Sequence, residues 1–293
     1  MCGISFQEGK PMILLDVRDY KKAEEPLREV GFNTLFAESV IHGKTPGQVY
    51  ADDDVSPSVF YVVHPYGMSL LFGAVDKPGF NLWLQQYLLD KAQARSGHEW
   101  LQAYPADWNE RIRQMLGSEL VARRAELQEE IDSTSPKVAE YTRVNFRFDR
   151  DKYRTAANPA NLAGCEIVRT TKEMFLTAPG AVVPRFFWKD EAEFERTGIG
   201  FSLICEGEIA ATAFSAFITE KELEIGIETA EKYRGRGFAA SVCSALIDYC
   251  LQQGLEPVWS CRRENEGSYR LAQKLGFVPS LMIPYYRLPA GAM

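Results

Sequence analysis

The sequence predicts an α+β protein that is built as two domains. Its 293 residues are about what two domains of ordinary size contain. Segments with strand-like alternation occur in both halves, interspersed with segments of helical periodicity. There is also a partial internal repeat, because Trp100 precedes Gly117 by 17 residues and Trp259 precedes Gly276 by 17 residues. We therefore expect two domains of similar topology.

The composition is that of an ordinary soluble globular protein, with 46% hydrophobic and 25% charged residues. The 33 basic and 40 acidic side chains give a formal charge of −7, which argues against a nucleic-acid partner, since that needs a basic footprint. No apolar segment approaches the roughly 18 residues of a membrane span, and the N-terminus lacks a secretory signal. These features predict a cytoplasmic protein without a membrane partner.

The six cysteines form no C-x-x-C pair, and the three histidines lie far from the cysteine-rich half, so no metal site is expected. Most of these cysteines lie in apolar segments such as 203–205, which predicts buried thiols in a reducing compartment. Cys2, which follows Met1, resembles the thiolate of N-terminal-nucleophile glutamine amidotransferases. That family also has an Arg soon after a Gly-His pair, and none follows Gly97-His98.

The first half predicts strands and helices that end near a linker at Asn158–Gly164, so the domains are expected to be 1–157 and 158–293. Periodicity and breaker residues predict its elements: strands 59–63, 69–75 and 100–104, helices 81–94 and 107–116, and antiparallel strands 120–131 and 141–148. The segment 120–131 is rich in charged residues, and a helix is the equal alternative for it. The second half predicts these elements: strands 165–169, 200–205, 208–218, 222–229, 257–261 and 277–288, and helical segments within 171–178, 189–197, 239–253 and 267–275.

One segment of the second half has the pattern of a phosphate-binding turn, with a strand leading through a Gly-rich turn into an apolar helix. Glycines permit close approach of the backbone, and flanking arginines add positive charge. The pattern is neither a Walker loop nor a Gly-x-Gly-x-x-Gly dinucleotide turn. A simple Gly-rich turn with solvated arginines remains the alternative. The residues of the turn are Arg234, Gly235, Arg236, Gly237, Phe238 and Ala239.

Arg234-x-x-Gly237-x-Ala239 resembles the Arg/Gln-x-x-Gly-x-Gly/Ala loop of the GNAT N-acetyltransferase superfamily, which binds the acyl-CoA pyrophosphate. The segment 259–277 is similar to the strand, Asn-bearing turn and closing Leu-Gly-Phe helix of that superfamily. Segments 141–148, 198–201, 224–229 and 257–261 resemble the two-part subfamily that includes the zwittermicin-resistance acetyltransferase. The resemblance implies a degenerate GNAT-like domain followed by an acetyl-CoA-binding GNAT domain, each with the mixed α+β GNAT fold.

The resemblance also implies roles for individual residues. The backbone from Ile227 to Thr229 would pair with the pantetheine arm of acetyl-CoA, and the turn 234–239 would hold the pyrophosphate. Asn265 and Ser268 would contact the pantetheine or the thiol end.

Aminolysis of a thioester needs a neutral amine, so a base must remove a proton from an alkylammonium of pKa about 10. Glu222, Glu224 and Glu228 alternate with Leu223, Ile225 and Ile227, which places the three carboxylates on one face of a strand. Glu224 is the first candidate for the general base and Glu228 the second. An exposed strand face is the alternative.

The general acid departs from the superfamily pattern, because the usual Tyr position is occupied by Ala272. The sequence offers other groups for this role: Tyr269, Tyr285, Tyr286, Ser268 and Cys261. A thiolate is a tolerable leaving group, so the reaction need not depend on a strong acid. Cys261 could also be a covalent nucleophile, but no His lies near it in the sequence to lower its pKa.

The leading hypothesis is transfer of an acetyl group from acetyl-CoA to a small-molecule amine by direct attack. Alternatives are a CoA-binding module with a regulatory or scaffold role and no turnover, and a protein or peptide N-acetyltransferase. Residues 1–157 are expected to wall the acceptor side or to form a homodimer, and not to bind CoA, because Lys77-Pro78-Gly79-Phe80 lacks the paired glycines.

Overall fold

The computed structural model describes residues 12–90, 95, 97–122, 137–155 and 162–290. The chain folds into two compact units. Unit 2 is Arg143–Met282, and unit 1 consists of the described residues of Met1–Thr142 and Ile283–Met293. The division lies earlier than 157/158 because residues 143–145 pair with residues 260–262 of unit 2.

Unit 1 contains a mixed sheet with helices α1 to α4. Its elements are these: β1 (Ile13–Leu14), α1 (Glu24–Arg28), α2 (Leu35–Ile41), β2 (Gln48–Ala51), β3 (Val59–His64), β4 (Met68–Gly73), α3 (Pro78–Leu88), β5 (Glu99–Tyr104), α4 (Asp107–Leu116), β6 (Leu120–Ala122) and β7 (Val138–Phe148), with 3-10 turns at Val17–Ala23 and Gly117–Glu119. Strands β1 to β4 are antiparallel neighbours, and β5 runs parallel to β4. The final strand, β14 (Phe277–Leu288), pairs antiparallel with β5 through residues 286–288. Strands β7 and β14 each contribute residues to both units.

The core of unit 1 lies between the sheet and helices α3 and α4. Tyr61, Leu84, Trp108 and Tyr286 are fully buried in it. The predicted strands at 59–63, 69–75 and 100–104 and the helix at 107–116 are confirmed, because periodicity and turn residues agree there.

Two predictions for unit 1 need correction. The strands 120–131 and 141–148 were expected to be antiparallel, but β6 runs parallel to β7, with Leu120 opposite Val138. The remainder of 120–131 lies outside the described residues. Helix α3 begins at Pro78 rather than at residue 81, since a proline is tolerated in the first turn, and it ends at Leu88. Residues 91–94 lie outside the described residues.

Unit 2 contains a second mixed sheet. Its elements are these: α5 (Arg150–Thr155), β8 (Cys165–Arg169), α6 (Lys172–Thr177), α7 (Glu191–Thr197), β9 (Gly200–Cys205), β10 (Glu208–Ile218), β11 (Glu222–Thr229), α8 (Phe238–Gln253), β12 (Glu256–Val258), β13 (Ser260–Arg262) and α9 (Glu266–Lys274), with 3-10 turns at Pro184–Phe186 and Glu231–Tyr233. The sheet has the order β12-β11-β10-β9-β8, and only β11 and β12 are parallel. The predicted single strand at 257–261 is two strands that divide at Trp259.

Helix α8 packs against the apolar face of β11, and the two together form part of the core of unit 2. It begins after Gly237 and ends before Gly254, and both glycines adopt the left-handed conformation, with φ of 82° and 73°. Leu246 and Ile247 of the helix are fully buried, as is Leu223 of β11. Because successive side chains of a strand alternate, Glu222, Glu224 and Glu228 lie on the opposite face of β11.

The prediction that the cysteines are free thiols is wrong for two of them. Cys165 of β8 and Cys205 of β9 form a disulfide, because they are direct partners across the antiparallel ladder with Cα atoms 4.4 Å apart. Cys243, Cys250 and Cys261 are buried free thiols, as expected. Cys2 lies outside the described residues.

A similar order of elements occurs in both units, apart from the short strands β6 in unit 1 and β13 in unit 2. In unit 1 an antiparallel pair is followed by α3, a strand parallel to β4, α4 and a long strand. In unit 2 the antiparallel pair β10 and β11 is followed by α8, a strand parallel to β11, α9 and a long strand. The fold is therefore the predicted mixed α+β arrangement in two parts. Among the described residues, no helix is long and apolar enough to span a membrane.

Candidate active site

The candidate site begins where β11 and β12 separate. The parallel pairing of these strands ends with Glu224 opposite Val258. Beyond Trp259 the chain continues as β13, which pairs with β7 instead. Residues 225–229 of β11 remain paired with β10 on one side, but on the other side no described strand pairs with them. This edge spans about 13 Å at about 3.3 Å per residue, and its backbone groups can bind an extended ligand.

Unit 1 has no such opening at the corresponding place. Strands β4 and β5 stay paired from Met68 opposite Trp100 to Phe72 opposite Tyr104. Helix α3 then begins with Pro78, which has no N–H group to donate.

The open edge of β11 leads into the predicted phosphate-binding turn. Gly235 and Gly237 both adopt left-handed backbone conformations, with φ of 78° and 82°. Within the described part of the chain, the backbone N–H groups of residues 235–239 donate to no acceptor. They collect at the N-terminus of α8, a helix of 16 residues whose dipole is positive at this end. The arrangement suits a diphosphate.

The charged side chains of the turn are exposed but in contact with their neighbours. Arg234 donates from Nε to the Thr229 carbonyl at 3.3 Å. The Arg236 guanidinium lies 5.3 Å from the ring centre of Tyr233, which itself packs on Phe238. Ala239 is half-buried in the first turn of α8. The structure therefore brings the six predicted residues together in one turn.

Asn265 and Ser268 lie at the start of α9, and both have a structural partner. The Asn265 side chain accepts the Ser268 N–H at 3.2 Å and so caps the helix. The Ser268 hydroxyl accepts the indole N–H of Trp259 at 3.2 Å. A hydrogen bond from Ser268 lowers the pKa of the Cys261 thiol, but burial raises that pKa by more.

Glu224 lies at the point where the two strands separate. The side chains of Glu224 and Arg143 are each 7% exposed, and Oε1 of Glu224 is 3.4 Å from Nη2 of Arg143. Sequence analysis missed Arg143 as a partner. The alternation of 141–148 placed it on one face of a strand, but no local signal indicated a contact 81 positions away.

Glu228 has a different environment from Glu224. Its Oε2 accepts the backbone N–H groups of Ala181 and Val182, each at 3.0 Å. The loop that Glu228 binds, between α6 and the 3-10 turn at Pro184, was not singled out by the sequence. The hydrogen bonds between Glu228 and this loop involve backbone N–H groups of the loop, which carry no sequence signature.

The candidate acids are dispersed over both units. Ala272 is fully buried. The Tyr269 ring contacts Phe146, with ring centres 5.5 Å apart. In unit 1, Tyr285 stacks on Trp100, and the Tyr286 hydroxyl donates to the Asn109 side chain at 3.2 Å. Burial raises the pKa of Tyr286, which makes it a weaker acid.

No cluster of three or more His, Cys, Asp or Glu side chains suited to a metal ion occurs within the described ranges.

The chain is similar to proteins described as acetyltransferases. A family model described as GNAT acetyltransferase matches residues 29–286. The uncharacterized N-acetyltransferase YdfB of Bacillus subtilis (strain 168) is 25% identical over 246 residues, which cover 83% of this chain and 85% of that protein.

Two solved structures share the fold over nearly the whole chain. A GCN5-related N-acetyltransferase-like protein from Streptococcus suis 89/1591 has a TM-score of 0.67 at 19% identity, covering 92% of this chain and 98% of its own. A tandem GNAT protein from the clavulanic acid biosynthesis pathway has a TM-score of 0.61 at 11% identity, with 96% and 99% covered.

Proposed function

Because the chain belongs to the GNAT acetyltransferase family, we propose that unit 2 binds acetyl-CoA and transfers its acetyl group to a small-molecule amine. The observation that carries the proposal is the open edge at 225–229, which leads directly into the N–H cluster at 235–239. The edge, including Ile227 and Thr229, pairs with the pantetheine amides, and the cluster holds the diphosphate. Asn265 and Ser268, at the start of α9, contact the thiol end of the arm.

This placement sets the direction in which acetyl-CoA lies along β11. With the diphosphate at the N-terminus of α8, the pantetheine arm runs along β11 from Thr229 toward residue 225. The thioester then reaches the point where β11 and β12 separate, beside Glu224.

Glu224 is the general base in this proposal. The amine nitrogen attacks the thioester carbonyl carbon, and Glu224 accepts the proton that the nitrogen gives up. Breaking of the C–S bond releases CoA as a thiolate, which takes a proton from solvent. Arg143, whose Nη2 lies 3.4 Å from Oε1, holds the Glu224 carboxylate at this point.

The acceptor is a small amine, by resemblance to the zwittermicin-resistance subfamily. An acidic chain of net charge −7 attracts a cationic amine, while the turn at 234–239 attracts the anionic donor.

One observation favours a second function. Ala272 occupies the position of the usual acid, and its methyl side chain has no proton to donate to the leaving thiolate. A CoA-binding module without turnover is consistent with this feature.

Thiol release from acetyl-CoA, followed over a panel of amino sugars, amino acids, polyamines and short peptides, separates the two functions. We expect release with at least one small amine, and a decrease of about 10²- to 10⁴-fold in Glu224→Gln. Glu222→Gln is the matched control, because Glu222 is an exposed carboxylate on the same face of β11. CoA binding without release from any amine would establish the binding module instead.

A further inference from the structure

The carboxylate of Glu228 accepts three backbone hydrogen bonds, which suit a structural role better than that of a proton acceptor. Both oxygens of its carboxylate accept backbone N–H groups: Oε2 from Ala181 and Val182 at 3.0 Å, and Oε1 from Thr229 at 3.2 Å. Gly180 approaches so closely that a Cβ there would lie 2.4 Å from Cγ of Glu228. The carboxylate therefore holds the loop 178–183 against the end of β11.

The same carboxylate also contacts the first residue of the phosphate-binding turn. Arg234 places Nη2 3.8 Å from Oε1 of Glu228, while its Nε donates to the Thr229 carbonyl. The Arg234 side chain is 63% exposed, so it can reorient, whereas that of Glu228 is 16% exposed. One carboxylate thus joins the loop to the turn.

The loop that Glu228 holds shapes the cleft at this end of the sheet. Pro179 lines a cavity of about 790 Å³ together with residues 230–232. Val183, at the other end of the loop, is fully buried. Because Glu228 and Glu224 share one face of β11, an acceptor that reaches Glu224 on that face passes close to this loop.

We propose that Glu228 is a positioning residue that couples diphosphate binding to closure of the loop 178–183. This inference rests on the proposed function, and it gives Glu228 a role different from the second-choice base. A diphosphate at 235–239 attracts Arg234 away from Glu228. The carboxylate then directs its full negative charge to the N–H groups of Ala181 and Val182, and the loop tightens. By linkage, a tight loop also favours the donor.

Glu228→Gln tests the proposal, because the amide oxygen can still accept N–H groups but no longer attracts Arg234. We expect CoA to bind about two- to fivefold more tightly, since freeing Arg234 from a partly exposed ion pair outweighs the loss of the support that the tight loop gives to the donor. We expect the KM for the acceptor amine to rise. We expect kcat, and the decrease of kcat at low pH that protonation of the general base causes, to stay as in the unchanged protein. Glu222→Gln serves again as the control.

Hydrogen exchange at the Ala181 and Val182 amides gives a readout that does not depend on turnover. In the unchanged protein CoA should slow this exchange. In Glu228→Gln exchange should be faster without CoA, and CoA should slow it less.

Three results would overturn the coupling: weaker CoA binding by Glu228→Gln, loss of the decrease in its kcat at low pH, or amide hydrogen exchange at 181–182 that the substitution leaves unchanged. Failure of the proposed function would look different, because the unchanged protein would then bind no CoA. Hydrogen exchange at 181–182 would still be faster in Glu228→Gln, since the hydrogen bonds to Glu228 do not depend on CoA.

Discussion

Glu224 and Arg143 form an ion pair that is closed off from water on both sides. Each side chain is 7% exposed, and the charged atoms are 3.4 Å apart. Removing one partner of a buried ion pair costs about 3–5 kcal/mol. Replacing both partners by apolar groups avoids that cost.

We therefore predict that Arg143→Met lowers the free energy of unfolding by about 3–5 kcal/mol, and that adding Glu224→Met restores most of it. Urea unfolding measures both changes. Arg147→Met is the matched control, because Arg147 is an exposed arginine on the same strand. A stable single variant, or a double variant as unstable as the single one, would contradict this account of the pair.

The buried His64 of unit 1 should make the free energy of unfolding depend on pH. Burial lowers the pKa of His64 from 6.5 to about 3. In the unfolded chain His64 binds a proton as the pH falls below about 6.5, while in the folded chain it stays neutral. The folded state therefore loses stability as the pH falls from about 6.5 to about 3, by up to about 1.4 kcal/mol per pH unit.

His64→Gln should remove this contribution. Between about pH 7 and pH 5 the unchanged protein should lose about 2 kcal/mol more unfolding free energy than the variant. His42→Gln, at an exposed position after α2, should keep the dependence of the unchanged protein. Parallel pH profiles for the unchanged protein and His64→Gln would argue against a buried neutral imidazole.

At the scale of elements, the two ends of α8 provide a matched pair of glycines. Gly237 and Gly254 have nearly the same left-handed backbone, with φ of 82° and 73°. A side chain at either one costs about 1–2 kcal/mol of strain. Only Gly237 lies in the turn where N–H groups meet the proposed diphosphate.

Gly237→Val should therefore lower CoA affinity at least about 100-fold, because a side chain blocks the approach of the diphosphate to the N–H groups. Gly254→Val should bind CoA like the unchanged protein at a similar cost in stability. Titration calorimetry and thermal unfolding measure the two effects. Equal CoA affinities in all three proteins would remove the diphosphate from this turn.

Local patterns predicted most of the elements of unit 2. Alternating residues predicted β9, β10 and β11 with the bounds that the structure has. The Gly-rich turn at 234–239 was also predictable as a turn, because its glycines and arginines are contiguous in the sequence.

Contacts between distant segments were not predictable. The Arg143 and Glu224 pair and the Cys165–Cys205 disulfide depend on strand register. The parallel course of β6 depends on the same kind of long-range pairing, which a single sequence does not encode locally.

At the scale of the whole molecule, the two units share an order of elements but differ at one place. Strands β4 and β5 of unit 1 stay paired as far as Phe72 and Tyr104, whereas β11 and β12 of unit 2 separate after Glu224. Of these two places, the open edge at 225–229 is the one that can pair with an extended ligand.

This difference predicts one acetyl-CoA per chain. Titration calorimetry of the full chain should give a stoichiometry of about one, and Gly237→Val should abolish that single site. A second equivalent that survives in Gly237→Val would mean that unit 1 also binds the donor.

We propose that the open edge of β11 and the turn after it hold the acyl donor, and a crystal structure of the full chain with CoA would show whether they do. We expect pantetheine amides hydrogen-bonded to the backbone of residues 225–229 and the diphosphate against the N–H groups of 235–239. CoA bound along β4 and β5 of unit 1, or away from β11, would rule out this binding site.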